Sequence, residues 1–86
     1  MYRVIYSKEA TRSLAKITRK LALTIQAKIE AVAVDPYARH PNVTRLQGRE
    51  GYRLRVGDWR VIYHVIDHQL VIEVVRVAAR GSVYKA

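Results

Sequence analysis

The chain has no cysteine, only two prolines and four glycines among its 86 residues, and few acidic groups. Without cysteine, neither a disulfide framework nor a cysteine–histidine zinc site is available, which fits a reducing compartment. No apolar run is long enough to span a bilayer, because His64, Asp67 and Glu73 interrupt the longest stretches. The opening Met1-Tyr2-Arg3-Val4-Ile5-Tyr6 lacks the long apolar core of a signal peptide. The expectation is a cytoplasmic protein with no membrane contact. His40, His64 and His68 form no histidine motif, and no carboxylate pair stands at metal-ligand spacing, so no metal is expected. A glycine-rich phosphate loop and a serine or cysteine nucleophile signature are also lacking, and no cofactor is implied. Repeats and low-complexity segments are missing as well. A length of 86 residues allows one domain, 1–86. A chain this short buries only roughly 60 to 65% of its unfolded surface.

What the sequence has in abundance is positive charge. Sixteen Lys and Arg oppose seven Asp and Glu, a formal net charge of +9. A small domain this basic attracts polyanions, nucleic acid first among them. Generic solubilising charge is the plainer alternative. Beyond residue 38 the cations are arginines, with a lone lysine at Lys85. Guanidinium forks grip phosphate oxygens in pairs, which an ammonium cannot do.

Hydrophobic periodicity divides the chain in two. Residues 2–6 alternate and read as a strand. Ser7 reads as a helix N-cap with Glu9 in the first turn. Ala10, Leu14 and Ile17 recur at helical spacing. Thr18 marks a break and caps a second helix with the stripe Leu21, Ile25, Ile29 and Val32, ending at Asp35-Pro36. Two helices joined this tightly imply an antiparallel hairpin. A long connection, 36–51, holds a short strand at Thr44-Arg45-Leu46. The second half is β: 52–56, a Gly57-Asp58 turn, 59–66, a turn at 67–69, and a last strand from Leu70 to Val77. The fold class is α+β, an N-terminal strand and helix hairpin layered on an antiparallel meander.

Alternation places Tyr52, Leu54 and Val56 on one strand face, assigned to the core, and Arg53 and Arg55 on the other. Arg60 lies just across the turn and joins them if the register allows. Arg80 follows the last strand, and Tyr84 stands four residues later. Each arginine alone reads more readily as an ordinary solvent-facing residue than as a functional one; the cluster is what suggests a site. Phosphate binding and charge stabilisation are the chemistry it supports. RNA carries its own nucleophile, the 2′-hydroxyl. Guanidinium groups can stabilise the charge that develops when that hydroxyl attacks the adjacent phosphate. Tyr84 is placed to take the hydroxyl proton or to stack on a base.

Leu46-Gln47-Gly48, Tyr52-Arg53-Leu54-Arg55, the run from Trp59 to Asp67 and the ending Val77 to Tyr84 resemble the RelE/ParE toxins of type II toxin–antitoxin systems. The combination of Arg80 and Tyr84 is similar to the RelE-like branch, the mRNA interferases. The resemblance covers essentially the whole chain and implies a RelE-like fold. It also implies an endoribonuclease that cuts messenger RNA in the ribosomal A site, inhibits translation, and is held by a cognate antitoxin. Operator DNA would be met only through the antitoxin complex. By position, Arg60 and Arg80 match the family's phosphate-contacting arginines, and Tyr84 its C-terminal tyrosine. Arg53, Arg55, Arg60, Arg80 and Tyr84 are thus the expected catalytic residues, and Arg45, Arg53, Arg55, Arg60 and Arg80 the expected RNA-binding ones. Arg53 and Arg55 replace two lysines of RelE itself. A lysine can serve as a neutral base, whereas an arginine stays charged, so that role passes to Tyr84, to the substrate phosphate or to His64. A ParE-like gyrase inhibitor and a plain nucleic-acid-binding module share the fold and stay open as alternatives.

Overall fold

At Ser7 the first strand, β1 (Arg3–Tyr6), passes into the first helix, α1 (Lys8–Lys16). The Ser7 Oγ accepts from the Ala10 amide at 3.0 Å and donates to the Val75 carbonyl at 2.9 Å. Glu9 opens α1 and Lys16 closes it, each at the end its charge favours. Ile17 and Thr18 are extended, and the Thr18 hydroxyl accepts from the Leu21 amide to start α2 (Arg19–Val34). Helix α2 stops at Asp35, before Pro36. These boundaries agree with the sequence reading. The protein is seen here as a computed structural model that describes residues 1–79.

The remaining strands are β2 (Val43–Arg45), β3 (Tyr52–Val56), β4 (Trp59–Ile66) and β5 (Val71–Ala79). They form one sheet in the order β1-β5-β4-β3-β2. From β2 to β5 it is the expected antiparallel meander, while β1 pairs with β5 in parallel and makes the sheet mixed. Strand β2 lies one residue earlier than the 44–46 expected. Leu70 also departs from expectation. It takes a left-handed φ of 54° and donates its amide to the Asp67 carbonyl, closing a 3-10 turn. Strand β5 therefore starts at Val71 and continues past Val77 to Ala79.

A bulge sets which face each β5 side chain takes. Ile62 pairs with Arg76 and Tyr63 with Val74, leaving Val75 as the extra residue. The insertion shifts the alternation by one, so Val74 and Val77 both reach the core. Ser7 holds this irregularity, since its amide donates to Val74 and its hydroxyl to Val75.

The core lies between the helices and one sheet face. Ala10, Ile25, Ile29 and Val32 meet Leu54, Val61, Tyr63, Ile72 and Val74, all buried. The helices pack on strands more than on each other: α1 rests on β5, and α2 touches β1. Burial on this scale, at roughly 25 cal/mol per Å² of apolar surface, dominates the stability of a domain this small. The opposite face carries the arginines, and the connection 46–51 covers part of it.

Candidate nucleic-acid interface

Strands β3 and β4 bring Arg55 and Arg60 directly opposite each other, one residue pair from the Gly57-Asp58 turn. Arg53 lies two residues from Arg55 on the same face, opposite Ile62. Directly opposed like charges destabilise a sheet, so the pairing works against stability. The three arginines, with Asn42, Val43 and Thr44, line a hollow of about 290 Å³. The register thus meets the expectation that Arg60 joins the other two.

The hollow has a built wall. The Arg55 amide donates to the Asn42 carbonyl at 2.9 Å, and its Nη2 donates to Asn42 Oδ1 at 3.4 Å. Asn42 holds a left-handed φ of 64°, a conformation asparagine tolerates better than most residues. Arg60 donates through Nη1 to the Trp59 carbonyl and is half-buried, rather than fully exposed as a surface site would suggest. Arg53 and Arg60 make further interactions within the protein. The hollow gathers charge-assisted donors for a phosphate. No carboxylate or imidazole lines it among the described residues.

Other sequence-predicted residues lie elsewhere. Arg45 pairs with Tyr52, so alternation turns it to the face away from Arg53. It lines a separate hollow of about 330 Å³ with Tyr37, Arg49, Glu50 and His64. His64, the substitute base, stands four residues from Arg60 on β4, roughly 13 Å at ~3.3 Å per residue. The arginine hollow and His64 are thus apart, and Gly51 packs against the imidazole so closely that a Cβ there would lie 2.7 Å from it. Arg80 and Tyr84 fall outside the described residues.

Sequence reasoning missed Asn42 and a clasp on the β4–β5 turn. Tyr2 and Tyr37 donate to the two oxygens of Asp67, at 2.7 and 2.6 Å. The Tyr37 and Tyr2 hydrogen bonds hold the Asp67 carboxyl below the usual carboxylate range. In return the Tyr37 hydroxyl is pushed up to about 12, chiefly by that bond. The Pro41-Asn42 dipeptide was the one available signal, as a turn former. The clasp joins residues 65 and 30 positions apart and left no local trace. Among the described residues no group of three or more His, Asp or Glu is arranged to hold a metal ion, and no helix is long and apolar enough to cross a membrane.

The sequence model for the ParE toxin of the type II toxin–antitoxin system parDE matches residues 4–84. No curated protein matches. Among solved structures, a chain of the archaeal RelE–RelB complex from Pyrococcus horikoshii OT3 is 28% identical. It covers 93% of this chain and 96% of its own, with a TM-score of 0.80. The isolated E. coli RelE toxin, at 22% identity, superposes with a TM-score of 0.79 over 93% of this chain and 85% of its own. A chain of the RelB–RelE complex from Methanococcus jannaschii gives 21% identity and 0.75, over 94% and 95%. These likenesses match the strand order and helix layer described above. The chain belongs to the ParE toxin family of type II toxin–antitoxin systems, within the RelE/ParE superfamily.

Proposed function

We propose that this toxin is an endoribonuclease that cuts messenger RNA in the ribosomal A site and so stops translation, without a metal. The observation that carries the reading is the convergence of Arg53, Arg55 and Arg60 on one hollow of about 290 Å³. In this reading the substrate's 2′-oxygen forms a bond to the adjacent phosphorus and the bond to the 5′-oxygen breaks. The products are a 2′,3′-cyclic phosphate and a 5′-hydroxyl. The guanidinium groups stabilise the added charge on the phosphate oxygens. Arg80 adds a further phosphate contact; Tyr84 as its phenolate, or the substrate phosphate, accepts the 2′-hydroxyl proton, or the Tyr84 ring stacks on a base, and water protonates the departing 5′-oxygen.

The solved RelE–RelB complexes support a cognate antitoxin as partner. An apolar hollow of about 640 Å³ at Ile17, Leu21, Trp59 and Val77 is rimmed by Lys16. An antitoxin segment with apolar anchors and flanking acids suits it. The match to a ParE family model favours a second reading, a non-enzymatic inhibitor of DNA gyrase.

Brief induction separates the two. Lost translation with cleaved messenger RNA is the expected outcome; DNA damage with filamentation would give the function to the gyrase reading. With the purified protein and messenger-programmed ribosomes, Arg60→Ala should slow single-turnover cleavage about a hundredfold or more, the loss typical of a transition-state charge clamp. A folded Arg60→Ala protein with full activity would remove the arginine hollow from the mechanism.

A further inference from the structure

The connection between α2 and β3 builds a second hollow that the arginine site does not use. It lies beside His64, which itself stands roughly 13 Å from Arg60 along β4 at ~3.3 Å per residue. Its volume is about 330 Å³, within the range of small-ligand pockets. Arg45 and Arg49 line it, both exposed, and neither makes an ion pair or hydrogen bond to any described side chain. Tyr37 lines it too, with 59% of its surface exposed. An exposed tyrosine ring is ordinarily free to swing, but here the hydroxyl is tied to Asp67 at 2.6 Å. The ring is therefore fixed while its surface stays open. Glu50 supplies a carboxylate on the same wall.

These groups match the parts of one nucleotide. Guanidinium groups take a phosphate. A fixed aromatic ring stacks on a base whatever its sequence, and the ordering it needs is already in place. A carboxylate accepts from the amino edge of a base. We propose that Tyr37, Arg45, Arg49 and Glu50 form a subsite for a nucleotide flanking the cleaved phosphate, so that the toxin holds its RNA at two points. The proposal rests on the nuclease reading for its choice of RNA, and it gives Arg45 a role apart from the arginine hollow.

The test measures binding of uncleavable, 2′-O-methylated RNA strands of two to six nucleotides to the full chain by fluorescence anisotropy. Wild type should show a step in affinity, about tenfold or more, once the strand is long enough to reach the second hollow. The step should vanish in Tyr37→Ala and in the double variant Arg45→Ala/Arg49→Ala. That double variant should also flatten the salt dependence for long strands by about 0.7 to 1.4 in log–log slope. Tyr37→Phe, which keeps the ring and releases the tether, should keep part of the step. Lys20→Ala/Lys28→Ala removes the same charge from exposed positions of α2 and should keep all of it. An affinity that does not rise with length, or a step that survives in the Tyr37 and arginine variants, overturns the subsite. Loss of the step in the lysine control to the same degree also overturns it, because net charge alone would then explain binding. A wild type that shows the step yet never cleaves messenger RNA on programmed ribosomes overturns the nuclease reading and leaves the subsite standing.

Discussion

Asn42 shows how a single neutral side chain can order a cationic site. An arginine only donates, so the contact at 3.4 Å fixes the Asn42 amide with its oxygen toward Arg55. That contact restrains one of two guanidinium groups that the sheet register places opposite each other. Asn42 also occupies a left-handed conformation, which separates its two roles by substitution. Asn42→Gly keeps the backbone and removes the acceptor. It should leave the melting temperature within a few degrees of wild type while cleavage falls several-fold. In an Arg55→Ala background the same change should add little, since the group it orders is already gone. Asn42→Ala strains the backbone as well, by about 1 kcal/mol, and should melt lower than Asn42→Gly. Multiplicative losses in the Asn42→Gly/Arg55→Ala pair would deny the positioning role.

Between β1 and α1 a single hydroxyl serves two elements. Ser7 caps the helix and secures the β5 bulge, and the bulge keeps Val74 and Val77 in the core. Ser7→Ala removes the cap, at a cost of about 1 kcal/mol, and a donor to a bulge carbonyl, at about 1 kcal/mol more. A shift of the urea midpoint by that sum is expected, with an unchanged m-value, and Ser7→Thr should recover most of it. The clasp on the β4–β5 turn responds to pH at both ends. Asp67 titrates below its unfolded value, so its contribution is present above about pH 4 and lost as pH falls through the depressed value. Tyr37 titrates above its unfolded value, so its contribution is complete below about pH 10 and lost as pH rises toward about 12. Thermal melts of Asp67→Asn from pH 3 to 11 should lose less at both extremes than wild type. Coincident pH profiles would mean the clasp contributes nothing. The caps at Ser7 and Thr18, the helix stripe and the hairpin arginines were legible because each is a pattern within a few residues. The parallel β1–β5 pairing, the bulge at Val75 and the Tyr37–Asp67 contact were not, because they arise only when distant segments meet. The faces of Arg53 and Arg55 followed from alternation, whereas the face of Arg45 was not legible, because the pairing of a three-residue strand cannot be read from its sequence.

At the scale of the whole molecule, charge works against the fold it decorates. A net charge of +9 on 86 residues repels itself, and the Arg55–Arg60 pairing concentrates that repulsion in one place. Two effects of added anions follow, and they can be separated. Any salt screens the general repulsion, with a Debye length near 10 Å at 0.1 M, so sodium chloride should raise the melting temperature modestly. Phosphate at matched ionic strength should raise it further, because it binds the folded arginine hollow and not the unfolded chain. That excess grows with concentration as RT ln(1 + [L]/Kd), reaching about 2.7 kcal/mol only at a hundred times Kd. Phosphate also strengthens apolar burial by exclusion from protein surfaces, which any variant should retain. The discriminating measurement is therefore the phosphate excess over chloride in Arg55→Ala against that in Lys28→Ala. Both remove one positive charge from an exposed residue, but only the first opens the hollow. Arg55→Ala should melt at or above wild type in low salt, since a like-charge pair is relieved by about 0.2 to 1 kcal/mol, and should lose most of its phosphate excess. Lys28→Ala should keep that excess. Equal excesses in the two variants would mean that phosphate acts on the whole surface and that the three arginines form no anion site.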